Sequence, residues 1–262
     1  MFIYACARSS SKERNLTYCL SELKDLKYFR LKLSDYFFNK LKYSFFKVSN
    51  KLYKFDYRHL QDNLIDHSQE IIKEKSRRIW YYGYFQGEKY LYNNVNDIRK
   101  CFEIKKNYTK NFKKVYDLEI QKKKYAVIHI RLTDYANSGR EENGGPDMRL
   151  PMSYYHSLIN KYKKEEIKFV ILSDDIEKVK DEFSYLNNVY FSINSAIIDF
   201  QFILNADICI LSCSSFAWWG AWLNKKEKKI IYVPKNWLGY KVNREYPVNM
   251  IPDNWNKVNI EQ

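Results

Sequence analysis

The sequence predicts an α/β fold built on a parallel sheet covered by helices on both faces. Three observations carry that prediction. Short β-rich runs alternate with helical patterns through the second half of the chain. One run, Lys168–Ser173 (KFVILS), holds four consecutive apolar residues, Phe169 to Leu172, as expected of a strand buried on both faces. The apolar fraction is 45%, enough to bury a core in a chain of 262 residues.

The elements follow in order. Tyr125–Arg131 (YAVIHIR) reads as a strand, and Ser153–Lys163 as a helix with Ser153 as its N-cap. After the Lys168–Ser173 strand, Asp175–Phe183 is a helix, Asn188–Ser192 a strand and Ile197–Asn205 a helix. Asp207–Ser212 (DICILS) is a strand, Phe216–Asn224 a helix and Lys229–Val233 (KIIYV) a strand. In the first half, Tyr18–Phe29 and Leu60–Lys75 read as helices, and the aromatic stretch Trp80–Tyr92 is left unassigned. Ligands of such sheets bind beyond the carboxyl ends of the strands.

Charge divides the chain. Residues 1–124 carry 28 Lys and Arg against 14 Asp and Glu, which accounts for the whole net charge of +14; residues 125–262 carry 17 of each. The boundary is expected near Gln121–Lys124. A basic half suits an anionic partner, either an acidic glycan or a membrane surface, or it is a solvated lysine-rich surface. No nucleic-acid recognition motif accompanies it. No stretch of about 20 apolar residues occurs. Met1 to Arg14 lack the basic start and apolar core of a signal peptide. A cytoplasmic location is expected. The five cysteines, Cys6, Cys19, Cys101, Cys209 and Cys213, are odd in number and scattered, and are expected as free thiols.

Three constellations fall at strand ends. The first is His129 to Tyr135 (HIRLTDY), where Arg131 could fork onto a pyrophosphate. Asp134 could orient a hydroxyl, accept its proton, or pair with Arg131. The second is Ser173-Asp174-Asp175, whose carboxylates could accept from ribose or guanine donors, or cap the next helix. The third is Ser212 to Leu223 (SCSSFAWWGAWL), where hydroxyl residues open a helix directly after a strand and create an anion site. Its Trp cluster reads as core. No Asp-x-Asp triplet, dinucleotide loop or phosphate loop is present, and no metal is expected.

Together these segments resemble the bacterial α-1,2-fucosyltransferases of glycosyltransferase family 11. Gly83 to Tyr90 (GYFQGEKY) is similar to the family's G-Y-[FW]-Q-S-E-K-Y, with Gly87 in place of Ser. His129 to Tyr135 resembles H-x-R-R-G-D-Y, with Leu132-Thr133 in place of Arg-Gly. Ser173-Asp174-Asp175 matches S-D-D. Cys213 to Asn224 resembles N-S-[ST]-F-S-W-W-G-A-W-L, with Cys213 in place of Asn. Pro234-Lys235-Asn236-Trp237 and Pro252-Asp253-Asn254-Trp255 resemble its two closing P-x-x-W elements.

The resemblance implies a GT-B arrangement of two facing Rossmann-like domains. Residues 1–124 would form the acceptor side and 125–262 the GDP-fucose domain. Met1-Phe2-Ile3-Tyr4-Ala5 aligns with the end of the family's G-G-L-G-N-Q-M-F-Q-Y-A segment, so the first strand and glycine loop are expected to be missing. The resemblance also implies metal-free, cofactor-free inversion at the fucose carbon, with GDP-fucose and a lipid-linked or acidic glycan as partners; with the basic first half, such an acceptor implies peripheral attachment to the inner membrane face. Arg131 and Asp134 would be catalytic. His129, Arg131, Ser173, Asp174, Asp175, Ser214, Ser215 and Phe216 would bind the donor, and Tyr84, Gln86, Glu88 and Lys89 would lie on the acceptor side. The alternatives are an inactive remnant that only binds nucleotide or glycan, and a transferase for another GDP-sugar.

Overall fold

The computed structural model describes residues 1–10, 26–31, 41, 44–45, 56–60, 64–73 and 79–260. The chain divides into two compact units. One comprises Met1–Lys105 with Pro247–Pro252; the other comprises Lys106–Tyr246 with Asp253–Gln262. The division falls at Lys105, ahead of the charge shift at Gln121–Lys124, because the helix between them packs with the second unit.

The second unit is a six-stranded, all-parallel sheet. Its strands are β3 (Tyr125–Ile130), β4 (Lys168–Ser173), β5 (Val189–Phe191), β6 (Ile208–Leu211), β7 (Ile230–Pro234) and β8 (Asn256–Val258). The spatial order is β5-β4-β3-β6-β7-β8. Numbered from β3, this is 3-2-1-4-5-6, the doubly wound order. The chain winds outward from β3 through β4 to β5, then returns to the middle and winds the other way from β6. The direction reverses between β3 and β6, which pair from Ala126–Ile208 to His129–Leu211. All six residues of β3 and all four of β6 are buried, so both faces of these strands are covered.

The crossover helices are α5 (Met152–Tyr162), α6 (Ile176–Glu182), α7 (Ala196–Asn205) and α8 (Ser215–Leu223); α4 (Lys106–Glu119) precedes β3. Trp218, Trp219 and Trp222 of α8 are buried, with Trp218 and Trp222 stacked at 5.8 Å. The tryptophans are core, as the sequence suggested. Gly220 lets α7 approach, since a Cβ there would lie 2.8 Å from the Ile203 side chain. Asn224 ends α8 wholly buried, donating to the Ile203 and Ala206 carbonyls at 3.1 and 2.9 Å. Helix α4 turns Phe112 onto Phe202 of α7 at 5.1 Å.

In the first unit, β1 (Asp56–Leu60) and β2 (Ile79–Gly83) form a parallel pair. The helices are α1 (Phe2–Ser10), α2 (Ser68–Lys73) and α3 (Val95–Cys101), and a 3-10 segment covers Glu88–Asn94. Tyr4 and Phe29 both pack edge-on against Phe102, at 5.6 and 5.3 Å. Among the described residues no helix is long and apolar enough to cross a membrane. Cys6, Cys101, Cys209 and Cys213 are buried thiols outside any disulfide among the described residues; Cys19 lies outside the described residues.

Several expectations are corrected. Leu60 belongs to β1, paired with Gly83, and the helix expected over Leu60–Lys75 is limited to Ser68–Lys73 among the described residues. Strand pairing at a distance overrides the local helical pattern there. The helix expected at Tyr18–Phe29 lies mostly outside the described residues; 26–28 form a 3-10 turn, and Phe29 bridges Ile104. Helix α5 begins after Pro151, not Ser153. Proline's fixed φ, here −64°, suits a helix entrance and needs no N–H partner. The unassigned Trp80–Tyr92 stretch contributes most of β2 and part of the 3-10 segment.

Candidate functional site

At the carboxyl edge of the second unit, the ends of β3 and β6 lie side by side. The Ser212 amide donates to the His129 carbonyl at 3.0 Å, and His129 Nδ1 lies 2.8 Å from Ser212 Oγ. The imidazole is buried, and the Phe216 ring sits 5.8 Å away. Burial pushes the His129 pKa down to about 3, with the Arg131 charge adding to the shift. His129 is therefore neutral at pH 7 and serves as a hydrogen-bonding group there.

Arg131 follows β3 and is engaged by two carboxylates. Its Nη2 donates to Asp134 Oδ1 at 2.5 Å. Its Nε lies 3.5 Å from Asp174 Oδ2 in an ion pair, but makes no hydrogen bond among the described residues. The guanidinium also lies over the Tyr135 ring, 5.6 Å from its centre.

Asp174 has a different set of commitments. Its Oδ1 accepts from the Leu132 amide at 2.9 Å, and its Oδ2 from the Thr133 amide at 3.0 Å and from the Thr133 hydroxyl. Burial alone would raise its pKa. The Thr133 and Leu132 hydrogen bonds and the Arg131 charge outweigh that and hold it below the usual carboxylate value. The residues that replace Arg-Gly of the family pattern thus fasten the end of β4 to the loop after β3.

Asp175 is the N-cap of α6. Its Oδ1 accepts from the Lys178 amide at 3.4 Å, and Lys178 Nζ lies 2.7 Å from its Oδ2. Those contacts with Lys178 lower its pKa. Ser173 Oγ accepts from the Asp175 amide at 3.1 Å. Ser214 is the N-cap of α8, with extended backbone and no side-chain cap hydrogen bond. Ser215 is exposed at the first helical position and Phe216 is half-buried. The first-turn amides of α8 therefore receive no acceptor from the cap residue, and the positive end of the helix opens at the switch point.

Two residues went unassigned in the sequence. Tyr135 donates its hydroxyl to the Cys213 carbonyl at 2.6 Å, tying the β3 loop to the β6 loop. Burial drives its pKa far up, so it remains a donor. Asp199 of α7 accepts from Ser192 Oγ at 2.5 Å, just past β5. Burial raises it to about 6 despite that hydrogen bond. A single acid within the apolar run AIIDFQFIL was the available signal.

Tyr84, Gln86, Glu88 and Lys89 belong to the first unit. Tyr84 is exposed, and Lys89 Nζ donates to Asp66 Oδ2 at 3.1 Å. The same carboxylate accepts from Asn249 at 3.0 Å. Gly87 has φ +121°, and a Cβ there would lie 2.7 Å from the Asn249 carbonyl oxygen. A serine would be strained in this conformation. Among the described residues no group of three or more His, Cys, Asp or Glu side chains could hold a metal ion.

The second unit is thus a doubly wound α/β unit whose switch point gathers Arg131, His129 and the start of α8. The model of glycosyl transferase family 11 matches residues 18–259, and the chain belongs to that family. It is 29% identical over 170 residues to the O-antigen biosynthesis glycosyltransferase WbnK of Escherichia coli, covering 60% of this chain and 54% of that one. It is 30% identical over 182 residues to an alpha-1,2-colitosyltransferase of Escherichia coli, covering 66% and 60%. The chain thus spans less than two thirds of the length of these relatives. Among solved structures, NodZ alpha-1,6-fucosyltransferase co-crystallized with GDP aligns at 12% identity with a TM-score of 0.40, over 57% of this chain and 52% of that one.

Proposed function

We propose that the chain transfers L-fucose from GDP-β-L-fucose to a glycan hydroxyl with inversion, as a galactoside α-1,2-fucosyltransferase of surface polysaccharide or lipopolysaccharide synthesis. The observation that carries this reading is the gathering of Arg131, neutral His129 and the uncapped start of α8 at the switch point between β3 and β6. Family membership supplies the reaction class. The GT-B arrangement belongs to the same reading, with the six-stranded unit as donor domain.

In the reaction, the acceptor hydroxyl gives its proton to a carboxylate, for which Asp134 is the candidate. The acceptor oxygen forms a bond to the fucose anomeric carbon as the bond from that carbon to the β-phosphate oxygen breaks. The electron pair leaves with GDP. Arg131 and the first-turn amides of α8 offset the charge building on the diphosphate. That stabilisation does the work assigned elsewhere to a metal, so metal-independent transfer is part of the proposal. The basic excess of residues 1–124 supports an acidic or lipid-linked acceptor at a membrane surface.

Calorimetric titration with GDP, GDP-fucose and UDP tests the donor assignment. Guanine-specific binding at micromolar Kd is expected, with at least a ten-fold loss in Arg131→Ala. Equal affinity for UDP, or an Arg131→Ala variant that binds as well as the parent, would sink the reading. Similarity to a colitosyltransferase favours a second reading, in which the same site takes another GDP-activated sugar. Sugar transfer from a panel of GDP-sugars separates the two.

A further inference from the structure

We propose that Asp134 is an intramolecular counter-ion for Arg131 that the donor's diphosphate must displace, so that Asp134 becomes available to the acceptor only after the donor has bound. The inference rests on the donor reading above and adds an order of events to it.

The two carboxylates on Arg131 differ in how firmly they are held. Asp174 accepts from two amides and a hydroxyl, and is fixed by the loop it fastens. Asp134 touches the guanidinium through one oxygen, has no other side-chain partner among the described residues, and leaves 58% of its side chain exposed. An exposed single-contact ion pair is weak and is exchanged readily. A diphosphate carries more charge and can engage a guanidinium through two oxygens. Of the two carboxylates, Asp134 is therefore the one that yields.

Displacement frees the Asp134 oxygen that the guanidinium now occupies. Donor occupancy would thus free the group assigned to take the acceptor's proton, and an acceptor arriving first would meet a carboxylate still engaged by Arg131.

The test is the sign of a change in affinity. Calorimetry on the full chain compares GDP with guanosine, which has no phosphate to compete for Arg131. Asp134→Asn is expected to tighten GDP about five-fold and leave guanosine unchanged. The gain should shrink when the same substitution is made in an Arg131→Gln background at low ionic strength. Weaker or unchanged GDP binding in Asp134→Asn would overturn the inference, because Asp134 would then orient Arg131 or stand apart from it. A full gain persisting in Arg131→Gln would also overturn it, since simple repulsion between Asp134 and the diphosphate would explain the effect. Failure of the parent chain to bind GDP would remove the donor reading first, and this inference with it.

Discussion

Two helices begin at the carboxyl edge of the six-stranded sheet with similar residues and opposite outcomes. Helix α6 follows Ser173-Asp174-Asp175, and its N-terminus is closed by its own cap residue, because Asp175 accepts from the Lys178 amide. Helix α8 follows Ser212-Cys213-Ser214, and its cap residue makes no side-chain hydrogen bond. Its entrance is instead held from outside: His129 meets Ser212 Oγ, and Tyr135 donates to the Cys213 carbonyl. A helix start positioned by its neighbours can leave its first-turn amides for a ligand. A helix start positioned by its own cap has used its acceptor for stability.

The largest expected effect comes from making α8 resemble α6. Ser214→Asp supplies a fixed carboxylate at the open N-terminus, where it can cap the helix and repel a phosphate. GDP affinity should fall about ten-fold or more, while near-ultraviolet circular dichroism remains that of the folded chain. Unchanged affinity in the folded variant would mean that phosphate binds elsewhere.

The outside supports of α8 can be read through pH. His129 is held neutral in the fold, with its pKa lowered to about 3 from 6.5. A base depressed in this way contributes stability that is fully present above about pH 6.5. That stability is lost as pH falls toward 3, because the unfolded chain takes up the proton first. The loss attributable to this group should reach several kcal/mol near pH 3, since each ten-fold change in proton affinity is worth about 1.4 kcal/mol. Urea unfolding of His129→Gln should show a shallower acid-side decline than the parent. Asp199 works in the opposite sense, since its raised carboxyl favours the fold below about pH 4 and loses that advantage as pH rises through about 6. If His129→Gln leaves the acid-side slope unchanged, the imidazole is not held neutral by the fold.

The same contrast explains what the sequence disclosed. Strands β3, β4 and β6 were legible because YAVIHI, KFVILS and ICIL are apolar runs that can persist only inside a covered sheet. Strand β8 was not, because Asn-Lys-Val at a sheet edge has no apolar run to betray it. Helix α4 was missed because its lysine-rich sequence buries Phe112 alone. The carboxyl-edge residues were legible as a set from their positions after strands and from the family resemblance. Their partners were not. The bond from Asp174 to Thr133 joins residues 41 apart, and neither Asp174 nor Asp175 differs locally in a way that says which one fastens a loop and which one caps. Tyr135 was quoted within its motif, yet its bond to Cys213 crosses 78 residues and depends on two loops meeting at the switch point.

The smallest expected effect tests the capped side. Asp175→Ala removes a half-buried cap with a 3.4 Å contact, the long end of hydrogen-bond range. A cap of that kind contributes modestly, and thermal unfolding should move down by on the order of 2 °C. Because its acceptor is turned to Lys178, GDP affinity should stay within about two-fold of the parent. Asp175→Asn, which can still accept from the Lys178 amide, should recover most of the thermal loss. A fall in GDP affinity without thermal loss would assign Asp175 to the donor instead, and the distinction between a closed and an open helix start would then have to rest on α8 alone.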